Sequence, residues 1–395
     1  MDDLCKSVEC YRTTTICDFI LYRISRDTQC SKYEKLTNLS TYLHQQNITM
    51  KEALVFYKEN NTLEVKIHDV PVPQPGPDQV LIRVVVSGTN HKDWKFPQMM
   101  PKVNGTNTGD DMAGIVHAVG QNVTEFKKGD RVAAFHEVNS PHGSYAEYGI
   151  SEYHTTFHIP QKVSFEEAAT IPVTAMTAVI ALFSDLSVPP VAWIRCEKTK
   201  QKIRGGVLVY GSGAVGQFAV KLLQKTGVHP VICVAGKGKD RVEKLIDQSK
   251  GDVVVDYRND EDKIIEGIRK AIPQGASLRY AFDTVSENGS HNTILKVLDQ
   301  NEGSALAATL PVPQDQIPGS VRLCTVAAAV AHTDRREVAF AWFRLFGLGL
   351  KEGWLTPHPY EVVPGGLNGV QTALTNMKDG KASGIKLVLR ISDAA

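Results

Sequence analysis

Between Gly205 and Leu223 the chain reads GGVLVYGSGAVGQFAVKLL. Val207–Tyr210 is a short apolar run of the kind that forms a buried parallel strand. It ends at Gly211-Ser212-Gly213-Ala214-Val215-Gly216, after which Phe218, Ala219, Leu222 and Leu223 fall at helical spacing. Strand, glycines and helix in that order form a cradle for a dinucleotide, whereas an isolated GxGxxG would be consistent with a bare structural turn. Each glycine has a task. Gly211 allows the tight turn, Gly213 lets backbone N–H groups approach a pyrophosphate, and Gly216 permits close helix–strand packing. The helix N-terminus, opened by Ala214 and Val215, supplies unpaired donors and partial positive charge.

The next strand bears on which dinucleotide. Pro230–Ala235 (PVICVA) is apolar and lies roughly 20 residues past the glycines, where an acidic residue would grip a free ribose 2′-hydroxyl. No acid stands there. The strand runs instead into Gly236-Lys237-Gly238-Lys239-Asp240-Arg241. Lys237, Lys239 and Arg241 can pair with a 2′-phosphate, so NADPH is favoured over NADH. The competing reading is an ordinary solvated basic loop.

The chain has 395 residues, enough for two domains with sizeable cores. A hydrophobic content of 42% with 22% charged residues is that of a globular protein, and the net charge of +1 gives no electrostatic case for nucleic acid or an acidic membrane surface. No uninterrupted apolar run approaches the roughly 20 residues that span a bilayer. The seven cysteines (Cys5, Cys10, Cys17, Cys30, Cys196, Cys233 and Cys324) form no CxxC pair, which leaves a zinc ribbon or redox motif unsupported and fits a reducing, cytoplasmic setting. Residues 1–49 show no steady period and read as an appended extension of uncertain order.

Ala53–Tyr57 and Leu63–Val70 alternate around Asn60-Asn61, a hairpin pattern. Gln79–Ser87 is a clear strand, and Gly114–Val119 and Arg131–Ala134 are shorter ones, so residues 50–172 read as a β-rich domain. Phe165–Phe183 is predicted helical. From Val207 onward strands alternate with helices (helices over 214–226, 240–249, 260–272 and 290–299), which implies a parallel, doubly wound α/β sheet over 173–336. Further helices are expected from about Glu337 to Leu350 and over Gly366–Met377, then a strand Ile385–Ile391. That strand needs a partner, and the β-rich domain is its natural host. Residues 337–395 would then complete the first domain around an inserted dinucleotide domain.

From Met50 to about Ile391 the chain resembles the medium-chain dehydrogenase/reductase superfamily, and most of all its zinc-independent quinone/enoyl reductase branch, including fungal trans-acting enoyl reductases. The residues that carry the likeness are PVPQPGPDQVLIRVVVSGTNHKDWK, TGDDMAGIVHAVGQNVTEFKKGDRVAAF, GSYAEY, EEAATIPVTAMTAVIAL, VLVYGSGAVGQFAVKLL and DVVVDYR. The resemblance implies a GroES-like catalytic domain joined to a Rossmann cofactor domain. It also implies a small-molecule or carrier-bound enoyl substrate, a polyketide synthase partner, and a monomer or homodimer. Zinc alcohol dehydrogenases carry Cys, then Gly-His-Glu, then a further Cys at their catalytic metal. In those positions this chain has Asn90, Gly109-Asp110-Asp111 and Thr170–Pro172, a hard-oxygen set that zinc disfavours, so no metal is expected.

The same resemblance nominates site residues. Asn90, Lys95 and Tyr145 are the catalytic candidates: an amide facing the nicotinamide, a cation in Asp93-Trp94-Lys95, and a phenol in Gly143-Ser144-Tyr145. Asp93 is read as a partner for Lys95. Thr177, Tyr257 and Lys386 are nominated for the cofactor, together with the backbone of Thr284 and Val285 after the fourth strand of the dinucleotide domain. Each has a plainer reading: a turn asparagine, an exposed lysine, a core-anchoring tyrosine, a helix threonine bonded to its own backbone. The function expected is NADPH-dependent reduction of an activated carbon–carbon double bond in an enone, quinone or polyketide enoyl chain. A zinc-free alcohol or aldehyde dehydrogenase and a catalytically inactive NADPH-binding protein are the alternatives.

Overall fold

The computed structural model describes residues 48–188, 203–301 and 303–393. The extension 1–47 and Cys5, Cys10, Cys17, Cys30 and Cys196 lie outside the described residues. Strands β1 (Thr49–Tyr57) and β2 (Leu63–Pro71) pair antiparallel, with Asn61 at positive φ in the turn expected from Asn60-Asn61. Strand β3 (Gln79–Gly88) then takes β4 (Asp111–Val119) on one side and meets β6 (Tyr148–Glu152), while β5 (Arg131–Phe135) links β4 to β7 (Thr156–His158). Between β3 and β4 the chain makes helix α1 (Lys92–Met99). The short strands β6 and β7 carry no strong alternation in the sequence and were not expected from it.

The expected single helix over Phe165–Phe183 is two helices. Helix α2 (Phe165–Ala168) starts in a capping box between Ser164 and Glu167. Pro172, which has no N–H to donate to a preceding turn, begins α3 (Pro172–Val179), and the chain continues as a π-helical turn, Ile180–Asp185. By length and composition Phe165–Asp185 is apolar enough to cross a bilayer; here it is packed into the protein core.

The dinucleotide domain is a parallel sheet of β8 (Val207–Tyr210), β9 (Val231–Ala235), β10 (Val253–Asp256), β11 (Tyr280–Asp283), β12 (Ser304–Ala308) and β13 (Val321–Thr325), in the order β10-β9-β8-β11-β12-β13. The order reverses at β8, the topological switch point at which such sheets bind ligands. Every residue of β9 is buried because both faces of the sheet are covered. Helix α4 (Ala214–Thr226) turns Phe218, Ala219, Leu222 and Leu223 inward and ends at Gly227 in the left-handed conformation. The expected helices 240–249 and 290–299 are shorter, α5 (Lys239–Glu243) and α7 (Ser290–Leu295), while α6 (Glu261–Ala271) buries Ile264, Ile265 and Ile268 as its spacing requires. Strand β13 lies in a stretch the sequence pattern left unread.

After helix α8 (Arg336–Glu352) the chain returns to the first sheet as β14 (Tyr360–Val363), a turn of 3₁₀ helix at Gly366–Gly369, α9 (Val370–Lys378) and β15 (Lys386–Arg390). Strand β15 pairs antiparallel with β3, Val388 opposite Gly88, so the late strand finds the host that its need for a partner predicts.

Candidate active site

The three glycines at the head of β8 divide their work as the sequence suggests. Gly211 has φ of 116°, and a Cβ there would fall 2.3 Å from Thr284 Oγ1. At Gly216 a Cβ would lie 2.1 Å from the Gly211 carbonyl, so this helix can approach its strand only with hydrogen at that position. Around Gly213 a Cβ would meet nothing within 4 Å. The space beside Gly213, at the start of α4, is therefore open for an anion drawn to the N–H groups of Ala214, Val215 and their neighbours.

The basic loop is less uniform than its sequence. Lys237 is exposed and makes no ion pair among the described residues. Lys239 lies 3.7 Å from Glu243. Arg241 donates from Nη1 to the Gly384 carbonyl at 2.5 Å, so part of its guanidinium joins the two domains rather than waiting for a phosphate. Half-exposed Tyr257 lays its ring against Gly236, where a Cβ would fall 2.1 Å from Cε1, and forms a ledge beside the loop. Arg258 is held by both oxygens of Asp256.

At the end of β11 the expected donors are already engaged. Thr284 N–H donates to the Tyr210 carbonyl at 2.9 Å, and Val285 N–H to Asp283 Oδ1 at 3.0 Å. Thr284 Oγ1 also donates to the Tyr210 carbonyl at 3.0 Å, which leaves their own two carbonyls and the Val285 side chain for a cofactor. Burial pushes the Asp283 carboxyl up, even though it accepts from Ser286 N–H and from Ser290 Oγ. Thr177 on α3 donates to the Val173 carbonyl at 2.7 Å, the local bond that a helix threonine makes by default.

The end of β3 delivers Asn90 into a dense buried network. Asn90 Nδ2 donates to Asp111 Oδ2 at 2.9 Å, and its Oδ1 accepts from the Lys386 ammonium at 2.9 Å. Lys386 Nζ also reaches Asp111 Oδ2 at 2.5 Å. Lys386, expected at the cofactor, thus has its ammonium enclosed between Asn90 and Asp111, with the residue 4% exposed. The second oxygen of Asp111 accepts from Val173 N–H at 2.7 Å and so fixes the first turn of α3.

Asp93 is not the partner of Lys95. Its Oδ2 accepts from Tyr145 Oη at 2.6 Å and from Asn90 N–H at 2.8 Å, and its Oδ1 lies 2.9 Å from Lys92 Nζ. Lys92, which no motif legible in the sequence singles out, also meets Asp110 at 2.6 Å. Burial and the neighbouring carboxylates of Asp93 and Asp111 outweigh Lys92 and push the Asp110 carboxyl up to about 7. Burial disfavours the Lys92 ammonium, yet Asp110 and Asp93 hold it above its usual range. Tyr145 is fully buried, and burial together with Asp93 raises its phenol. With no solvent exposure and its proton directed at Asp93, this phenol anchors the network instead of facing a substrate. Lys95 is different: its ammonium spans to Glu287 on the cofactor domain at 2.6 Å, two residues beyond Val285.

Zinc is the metal that the fold brings to mind, and the donors here do not suit it. Asp111 is paired with Lys386 and Asp110 with Lys92, both ends of the Asn90 amide are engaged, and two ammonium groups would repel a divalent cation. Among the described residues no group of three or more His, Cys, Asp or Glu is arranged to hold a metal.

A GroES-like β-domain completed by a late strand, with a Rossmann sheet carrying its glycine cradle, defines the medium-chain dehydrogenase/reductase class. Residues 76–171 match the alcohol dehydrogenase GroES-like domain. The trans-enoyl reductase fsr4 of Gibberella fujikuroi is 43% identical over 326 residues, spanning 81% of this chain and 93% of that protein. The trans-enoyl reductase resD of Aspergillus sclerotiorum is 31% identical, spanning 82% and 96%. The chain therefore belongs to the trans-enoyl reductase family of medium-chain dehydrogenases/reductases. Its fold is shared with a putative zinc-dependent alcohol dehydrogenase from Rhizobium etli (TM-score 0.71, 21% identity, 87% of this chain and 98% of that one). The enoyl reductase CurK shares it too (TM-score 0.65, 19% identity, 86% and 99%).

Proposed function

We propose that this protein is an NADPH-dependent, zinc-free reductase of an α,β-unsaturated carbonyl chain, presented as a thioester by a polyketide synthase partner. The observation that carries the reading is the open space at Gly213 beside the helix N-terminus, together with Lys95 reaching Glu287 of the cofactor domain and Asn90 held by the Lys386 ammonium. The names of the relatives support the substrate class. Exposed Lys237 beside Tyr257 supports recognition of a 2′-phosphate.

The bound nicotinamide would supply a hydride to the β-carbon of the substrate. Electron density would then move to the carbonyl oxygen as an enolate, and a proton taken from solvent water would complete the α-carbon. What the chain must contribute is a set of donors held where that charge develops. Lys95 retains ammonium protons beyond the one directed at Glu287, and Asn90 retains a second amide proton. Tyr145 and Asp93 act through Asn90 by holding its backbone N–H. Lys95→Met should lower kcat by about 2.7–4 kcal/mol of transition-state stabilisation, with NADPH affinity nearly unchanged.

The test is titration with both dinucleotides followed by turnover on 2-enoyl thioesters, quinones and aldehydes. NADPH should bind at least tenfold more tightly than NADH, about 1.4 kcal/mol, and the enoyl thioester should be reduced. Equal affinities would remove the 2′-phosphate argument. Turnover confined to aldehydes would favour an alcohol/aldehyde dehydrogenase, and tight binding without turnover an inactive binding protein.

A further inference from the structure

We propose that the Lys386 ammonium is the cation around which Asn90 and Asp111 are arranged, fixing how the site presents the Asn90 amide. The inference rests on the zinc-free reading above, but its first test needs no substrate.

Of the positions compared above with the zinc ligands of alcohol dehydrogenases, Asn90 and Asp111 contact Lys386, whereas Asp110 is held by Lys92. Lys386 Nζ lies 2.9 Å from Asn90 Oδ1 and 2.5 Å from Asp111 Oδ2, and the amide and carboxylate are themselves joined at 2.9 Å. The triangle is closed. An ammonium can only donate and a carboxylate can only accept, so the amide of Asn90 has a single orientation, oxygen toward Lys386 and nitrogen toward Asp111. One charge thereby sets the direction in which a candidate catalytic amide presents its remaining proton. Asp111 passes the constraint on to α3 through Val173 N–H at 2.7 Å.

The backbone is shaped for this lysine. Gly88 sits where a Cβ would come within 3.1 Å of Lys386 Cε, 3.1 Å of Asp111 Cβ and 2.3 Å of the Ala169 carbonyl. Thr89 fastens the adjoining chain to β15, donating from N and Oγ1 to the Leu387 carbonyl at 3.0 and 2.9 Å. The side chain of Lys386 is 3% exposed, so its charge is withheld from solvent and has Asp111 as its direct counter-ion. Lys386 is on this account a positioning residue, acting through Asn90.

Removing the ammonium should leave the buried Asp111 carboxylate and the Asn90 amide oxygen without their counter-charge, and hard divalent cations favour such oxygen donors. The experiment titrates Mn2+ into the full-length parent and Lys386→Ala, read by electron paramagnetic resonance. The variant should take up one Mn2+ at least tenfold more tightly than the parent, and Asp111→Asn added to it should abolish the gain. Equal Mn2+ binding by parent and variant would overturn the proposal.

Turnover gives the second readout. Lys386→Met should lose at least tenfold in kcat while KM for NADPH stays within threefold, and Lys386→Arg should recover part of the loss. If Lys386→Met leaves a buried charge too costly to fold, Lys386→Met/Asp111→Asn removes both charges and should fold while remaining slow. A double variant as fast as the parent would overturn the positioning role. Failure of the parent to reduce any enoyl thioester would instead strike the proposed reaction and leave the Mn2+ result standing.

Discussion

Tyr145→Phe separates an anchoring phenol from a proton-donating one. The substitution deletes one oxygen from a side chain that is 0% exposed and whose hydroxyl donates to Asp93 Oδ2 at 2.6 Å. No volume is added, so neither overpacking nor a large cavity enters. A hydrogen bond to a charged buried group contributes about 1.5–3 kcal/mol. The lower half of that range is expected, because Asp93 keeps the Asn90 N–H at 2.8 Å and Lys92 at 2.9 Å. With a urea m-value of about 3 kcal/mol/M, the midpoint should fall by about 0.5–0.75 M. Equilibrium urea unfolding of parent and variant, followed by intrinsic fluorescence, measures the shift. On the enoyl substrate kcat should fall by no more than about fivefold, since the phenol acts only through the Asn90 backbone. A variant as stable as the parent but about 100-fold slower would refute the reasoning and return Tyr145 to the substrate.

Gly213→Ala should change stability by less than about 0.5 kcal/mol, because a Cβ there meets nothing within 4 Å, yet weaken NADPH binding at least tenfold in a fluorescence titration. Gly216→Ala should lower the urea midpoint sharply, its Cβ falling 2.1 Å from the Gly211 carbonyl. Lys237→Ala should weaken NADPH about tenfold and leave NADH unchanged, compared by the same titration. Burial holds the His358 imidazole down at about 3, so between that value and 6.5 the folded chain binds fewer protons there than the unfolded chain, and stability is lost as pH falls through this window. At pH 5 this one group should cost about 2 kcal/mol relative to pH 7, and His358→Leu should flatten that part of the pH–stability curve.

Much of the cofactor half is legible in the sequence because its constraints are local. Gly211, Gly213 and Gly216 each serve a requirement of the turn they occupy, and the period of apolar residues in α4 needs no distant partner. The helix that Pro172 divides was legible too, had the missing N–H been given more weight than the apolar run around it. The buried polar network was not. Asp93 stands two residues from Lys95 in the chain, yet its carboxylate faces Lys92 and Tyr145 while Lys95 crosses to Glu287. Lys386 meets Asn90 over a separation of 296 residues, which no window of sequence relates. Thr284 and Val285 fall at the correct strand end, but whether an N–H is free depends on Tyr210 and Asp283, fixed only by the sheet register. Arg241 looked like a third phosphate ligand because nothing nearby in sequence shows the Gly384 carbonyl waiting for it.

The pairing of β15 with β3 has a consequence for assembly. Every strand of the cofactor sheet precedes Lys386 in the chain, so during synthesis that sheet can close while the β-rich half still lacks the strand beside β3. Until β15 arrives, Asp111 and Asn90 have no ammonium between them and Thr89 has no carbonyl to hold. The network around Asn90 is therefore the last of these features the nascent polypeptide completes. A ribosome stalled before Gly384 would display a cofactor sheet beside an Asn90–Asp111 pair that has not yet received its ammonium.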